Sequence, residues 1–172
     1  MSDTQLDLAS PGRTVRENID LALLAASCGW GGFWVAETTG ADAVTTASAV
    51  AARLATGRVG TAIVPVQTRN PMLLAMSAAS IGQIAPGGFT LGLGTSTPII
   101  VEDWHATPWG DSPLTLTREC VDLTRRLLAG ERVTTESGRW RFRRAQLLAP
   151  PESPPPIYLG RSMIACWSWP GR

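Results

Sequence analysis

The sequence predicts a parallel α/β fold. Short apolar runs without polar alternation recur between amphipathic stretches at the spacing of roughly 30 residues that a βα unit needs. Gly32 to Ala36, Val59 to Val66 and Phe89 to Gly94 are rich in β-branched or aromatic residues, as strands covered on both faces are. The helices between them carry their own start and stop signals.

Taken in order, Thr14 and Glu17 form a capping box ahead of Val15, Ile19, Ala22 and Ala26, and Gly29 follows as a stop, predicting a first helix over Val15 to Ser27. Asp42 opens a second helix in which Ala43, Ala47, Val50, Ala51 and Leu54 share a face, ending near Gly57; its small side chains imply close packing on a sheet. Asn70-Pro71 is an N-cap and first-turn pair, and Leu74, Ala78 and Ile81 give a third helix its stripe up to Pro86. Leu116, Cys120, Leu123 and Leu127 mark a fourth, from Pro113 to Gly130. A small β-hairpin insertion follows near 133–142, with Val133 to Thr135 and Arg139 to Phe142 flanking a Glu136-Ser137-Gly138 turn. Period-two alternation there puts Arg139, Arg141 and Arg143 in water and Trp140 and Phe142 against the body, rather than building a nucleic-acid surface. Pro150 to Pro156 leads as a stiff connector into a last strand-like run, Ile157 to Gly160.

Composition narrows the function. With 172 residues, 44% hydrophobic against 17% charged, the chain can bury one core, and its formal net charge of +1 gives no global field for nucleic acid or an anionic membrane. Cys28, Cys120 and Cys166 fit neither a disulfide framework nor a zinc cluster. The polar N-terminus lacks a signal-peptide core and no apolar run is long enough to span a membrane, so the expectation is a cytoplasmic chain without membrane or nucleic-acid partners.

In parallel α/β folds ligands lie at the carboxyl ends of the strands. Three such places are Glu37-Thr38-Thr39, Pro65 to Arg69, and Gly94-Thr95-Ser96-Thr97. Glu37 could hold a substrate or cap the next helix, and Arg69 could pair with Glu37, a cofactor anion or solvent. His105, the only histidine, lies in a loop with Glu102, Asp103, Trp104 and Trp109; these are too few fixed ligands for a metal site, and a proton-transfer role competes with ordinary packing. Gly92-Leu93-Gly94 matches neither a dinucleotide fingerprint nor a phosphate loop. No hydrolase signature is present, so catalysis would depend on a cofactor.

Gly32-Phe33-Trp34-Val35-Ala36-Glu37, Gly60-Thr61-Ala62-Ile63-Val64-Pro65 with Thr68-Arg69-Asn70-Pro71, Gly87-Gly88-Phe89-Thr90-Leu91-Gly92-Leu93-Gly94, and Val101-Glu102-Asp103-Trp104-His105 together resemble the luciferase-like oxidoreductases of the bacterial luciferase superfamily. That resemblance implies a TIM-type (α/β) barrel, here incomplete, of about four to five βα units. The cofactor would be the deazaflavin coenzyme F-420 or FMN, its ring at the strand ends, acting on a small-molecule substrate by hydride transfer or oxygen activation. It further implies a bulge with a non-prolyl cis peptide at Ala62-Ile63, Gly94 and Thr95 facing the ring, and Thr38 lining the rim; Glu37 and His105 are the candidate catalytic residues. Where sugar-phosphate-oxidising relatives carry a His and an acid, this chain has Thr38 and Thr95, which disfavours that substrate class.

A full barrel takes about 250 residues. The expectation is therefore a truncated oxidoreductase, with residues 1–160 a partial barrel and 161–172 an atypical tail whose lost periodicity suggests a shifted reading frame near Gly160. Exposed sheet edges, and a Leu116 to Leu127 face, would promote self-association. The alternative is a non-catalytic half-barrel serving assembly or binding.

Overall fold

A computed structural model describes residues 6–10, 14–136 and 138–160. The tail at 161–172, including the inferred frame shift, lies outside the described residues. Elements run β1 (Asp7–Ser10), α1 (Val15–Ser27), β2 (Gly32–Val35), α2 (Ala43–Ala51), β3 (Arg58–Thr61), β4 (Val64–Pro65), α3 (Pro71–Ile84), β5 (Phe89–Gly94), a π-helix (Ile99–Trp104), α4 (Pro113–Leu128), β6 (Val133–Thr135), β7 (Phe142–Ala145) and β8 (Ile157–Leu159).

The main sheet is wholly parallel: β1 pairs with β2, β2 with β3, β3 with β5, while β4 and β8 also pair with β5. Strands thus follow sequence order with helices between them, which is the arrangement of a β/α barrel opened along one side. Among the described residues β1 and β8 each have a partner strand on one side only.

The core lies between the outer face of this sheet and the helices. Phe33, Val35, Val59, Leu91 and Leu93 meet Ala43, Ala47, Val50, Leu74, Ala78 and Ile81, all of them buried. Alanines along α2 and α3 let both helices approach closely, and each large side chain buried here contributes on the order of 1.5–3 kcal/mol. α1 begins with the capping box read from the sequence: the Glu17 backbone N–H donates to Thr14 Oγ1 at 3.2 Å and the Thr14 N–H to Glu17 Oε2 at 3.1 Å. Asn70 caps α3 by accepting from the Leu73 N–H at 2.9 Å, with Pro71 in its first turn.

The inner face is aromatic. Trp34 stacks on Tyr158 with centroids 5.9 Å apart and donates its Nε1–H to Asp7 Oδ2 at 2.9 Å, while Arg58 pairs with the same carboxylate at 3.2 Å. Gly60 makes room for this arrangement, since a Cβ there would stand 2.4 Å from Trp34 Cε3.

Five features depart from the sequence reading. β1 was not expected, because Asp7 breaks its apolar pattern; its carboxylate is used inside the sheet by Trp34 and Arg58. The expected strand Val59 to Val66 is two, β3 and β4, separated by Ala62 and Ile63. α2 ends at Ala51 rather than near Gly57. The second hairpin strand begins at Phe142, not Arg139: Val133 pairs with Ala145 and Thr135 with Phe142, with a register shift between them and Arg144 at φ +53°. Trp140 and Phe142 do pack against the core, and Arg141 and Arg143 are exposed. Finally, the Leu116 to Leu127 face is not available for association, because Leu116, Cys120, Leu123 and Leu127 are buried where α4 packs on α3. Burial also pushes the Cys120 thiol up to about 12, so it stays protonated and unreactive.

The break between β3 and β4 depends on a close approach. A Cβ on Gly92 would fall 1.7 Å from the Thr61 carbonyl oxygen, and the Thr61 hydroxyl both donates to the Gly92 carbonyl and accepts from its N–H, each at 2.9 Å. Gly92→Ala is therefore expected to cost about 3 kcal/mol or to prevent folding. Urea denaturation reads the loss; a midpoint within error of the parent chain would contradict this packing.

Candidate functional site

Two groups of residues gather at the carboxyl ends of the strands. The first is built on an ion-pair cluster. Glu37, two residues beyond β2, accepts from both ends of the Arg69 guanidinium, Nη1 to Oε1 at 2.6 Å and Nη2 to Oε2 at 2.9 Å. Its Oε2 also accepts from the Ala43 N–H at the start of α2, at 3.0 Å. Arg69 Nη2 donates to Asp42 Oδ2 as well, and Asp42 caps α2 by accepting from the Thr45 N–H at 2.7 Å. The side chains of Glu37 and Arg69 are only 7% and 14% exposed, against 45% for Asp42, so the Glu37 bond is the one shielded from water.

Electrostatics follow from this arrangement. Burial works against the Arg69 charge, but hydrogen bonding and attraction from Glu37, then from Asp42, hold the guanidinium above its ordinary pKa. Burial likewise acts to raise the Asp42 carboxyl, yet hydrogen bonds from Thr45 and the nearby Arg69 charge outweigh it and keep the group below its ordinary value. The cluster sets one guanidinium against two carboxylates.

Beside this cluster a cleft of about 320 Å³ is lined by Glu37, Thr38, Thr39, Gly40, Ala41, Asp42, Arg69, Trp104 and His105. Its far wall is the π-helix, where the His105 N–H donates to the Ile100 carbonyl five residues back at 3.0 Å and buried Val101 anchors the turn. Ala106 at φ +49° ends it, and the Trp109 N–H returns to Glu102 Oε1 at 3.2 Å. Wide π-turns often mark functional sites because they re-aim side chains; this one presents Trp104 and His105 to the cleft.

The second group surrounds the break in the sheet. Ala62-Ile63 is a cis peptide bond, as the family resemblance implied. Ala62 is exposed and Ile63 half-buried at the surface of this ledge. A Cβ on Gly94 would lie 3.2 Å from Ile63 Cγ1 and 3.3 Å from the Gly160 carbonyl, so buried Gly94, half-buried Ile63 and exposed Gly160 converge at one point. Positions without a side chain let a flat ring approach closely. Thr95, half-buried, follows directly.

Of the residues named from sequence, the cleft thus gathers Glu37, Thr38 and His105, and the ledge gathers Ala62, Ile63 and Gly94, with Thr95 adjoining. Sequence reasoning missed Asp42 as a third member of the ion-pair cluster, having read it only as a helix cap. It also missed Gln67, which is 4% exposed with neither amide atom hydrogen-bonded; nothing in a lone glutamine inside a turn signals that. Among the described residues no cluster of three or more metal-ligating side chains occurs, and no helix is long and apolar enough to cross a membrane.

The comparisons with known proteins agree with this architecture. The family model for luciferase-like monooxygenases matches residues 1–162, and the chain belongs to that family. It is 31% identical over 123 residues to a Mycobacterium tuberculosis protein designated a coenzyme F420-dependent oxidoreductase, covering 72% of this chain and 35% of that one. Over 126 residues it is 33% identical to an F420-dependent glucose-6-phosphate dehydrogenase of Nakamurella multipartita, covering 72% of this chain and 37% of the relative. The chain therefore spans little more than a third of the length of these relatives. Its fold matches the coenzyme F420-dependent tetrahydromethanopterin reductase of Methanopyrus kandleri with a TM-score of 0.77 at 19% identity, over 90% of this chain and 49% of that structure.

Removing one partner from the shielded pair leaves a buried charge uncompensated. Arg69→Met is expected to cost about 3 kcal/mol. Asp42→Asn keeps a capping oxygen at the more exposed position and should cost less than about 1 kcal/mol. Urea unfolding of the two variants gives that order; equal losses would show that the Glu37 bond is not the dominant one.

Proposed function

We propose that this chain is the amino-terminal part of a deazaflavin- or flavin-dependent oxidoreductase acting on a small molecule, and that it carries the ring ledge and the substrate cleft of the active site. The observation that carries the reading is the meeting of Ile63, Gly94 and Gly160 at the break in the sheet, on the same rim as a cleft containing an ion-paired carboxylate and the chain's one histidine. The designations of the F420-dependent relatives support it.

Ala62, Ile63 and Gly94 would hold the flat ring, with Thr95 beside it and Thr38 on the rim. Bound there, the group supplies hydride transfer or, as reduced flavin, reaction with oxygen. His105 is exposed at the cleft wall and its backbone is fixed by the π-turn, which suits a group that takes or gives a proton at substrate oxygen. Glu37 meets three donors already, so its role is to fix Arg69 and the start of α2 rather than to transfer a proton itself. Burying an unpaired amide costs free energy, and both amide atoms of buried Gln67 lack a protein partner, which suits contact with a ligand or water. Arg69, the one arginine lining the cleft among the described residues, is committed to Glu37 and Asp42.

The test is titration of the chain with coenzyme F420 and with FMN, followed by cofactor fluorescence. Saturable binding of one of them is expected, with Ala62→Phe weakening it about tenfold or more while leaving the urea midpoint in place, because Ala62 is exposed. A folded chain that binds neither leaves the assembly reading, in which the one-sided edges of β1 and β8 pair with another chain.

A further inference from the structure

The cleft's charge and shape also specify what it would accept, given that the ledge holds the ring and the cleft the substrate. Among the described residues lining it Arg69 is the one arginine, and its guanidinium is committed to two carboxylates, Glu37 and Asp42. The lining sets two carboxylates, Glu37 and Asp42, against that one guanidinium. A dianionic phosphate entering here would meet a guanidinium already committed to Glu37 and Asp42 and would face those carboxylates as like charge.

What the cleft does offer is an aromatic surface with hydroxyls opposite. Trp104 is 58% exposed although it lines the cleft, so its indole is open to stack on an incoming ring. Thr38 and Thr39 on the facing segment supply small donor–acceptor groups. The volume of about 320 Å³ sits at the small end of the range for small-molecule pockets, roughly 300–1,000 Å³. We infer that this cleft selects an uncharged, planar hydroxy- or carbonyl-bearing substrate through Trp104 and excludes phosphorylated ones. This separates it from a relative named as a glucose-6-phosphate dehydrogenase, whose substrate carries a phosphate.

A matched pair of probes tests the inference: 1-naphthol and 1-naphthyl phosphate share one ring system and differ by the phosphate. Equilibrium dialysis of each against the chain at low salt should show saturable 1-naphthol binding and at least tenfold weaker 1-naphthyl phosphate binding, the gap narrowing at high salt as the repulsion is screened. Trp104→Ala should weaken 1-naphthol about tenfold and Trp104→Phe much less; Trp104 is exposed enough for both variants to leave folding intact, which a urea midpoint checks. Equal or tighter binding of the phosphate, no binding of 1-naphthol, or 1-naphthol binding indifferent to Trp104→Ala would each overturn it. The cofactor titration is read separately. Selective 1-naphthol binding without cofactor binding would keep the cleft's specificity and sink the oxidoreductase reading, whereas cofactor binding with the wrong probe preference would do the reverse.

Discussion

The rim of this half-barrel depends on one buried ion pair. Arg69 and Glu37 are 32 residues apart and belong to different βα units, yet the bidentate bond between them fixes where the segment after β2 sits relative to the segment before α3. The same carboxylate satisfies the first N–H of α2, and Asp42 ties Arg69 to that helix a second time. One guanidinium therefore sets the floor of the cleft and the start of α2 together. Burying charges is costly unless geometry is good and the remaining valences are met; here three donors surround Glu37, which is the condition for such a pair to favour one arrangement of the rim.

The second constraint is steric. A parallel sheet that continued through Val59 to Val66 would have no ledge. The interruption at Ala62 and Ile63 exists because Gly92 lets the Thr61 carbonyl approach its Cα closely, and because Gly94 and Gly160 leave room for Ile63. Glycine at these positions is needed for the space a side chain would occupy, and none of the three has a positive φ. The ledge and the ion-pair cluster are thus independent devices that meet on one rim, one built from absent side chains and the other from charged ones.

Local signals were legible where the physics is local. The Thr14/Glu17 capping box, the Asn70-Pro71 start and the Leu116 to Leu127 stripe all specify helices that the structure contains, since each depends on neighbours within one or two turns. Features that depend on tertiary partners were not. Asp7 hid β1 because its carboxylate serves Trp34 and Arg58 from other strands, and the π-helix at Ile99–Trp104 has no apolar period by which to announce itself. The α4 stripe was read correctly as apolar but wrongly as a surface for association, because a sequence does not say that α3 already covers it. The family resemblance pointed to the cis peptide at Ala62-Ile63, which no composition or spacing argument would have singled out, whereas the ion pair of Asp42 and the unpartnered amide of Gln67 emerge only from tertiary structure.

The central claim is that Glu37 and Arg69 act as one unit. A double-mutant cycle on Glu37→Gln and Arg69→Met, with stability read by urea unfolding, measures that directly. A coupling of about 2 kcal/mol or more, with the double variant losing far less than the sum of the single losses, is the result expected of a shielded bidentate pair. Additive losses, within about 0.5 kcal/mol, would mean that the two residues stabilise the rim separately and that the cleft is not organised around their bond.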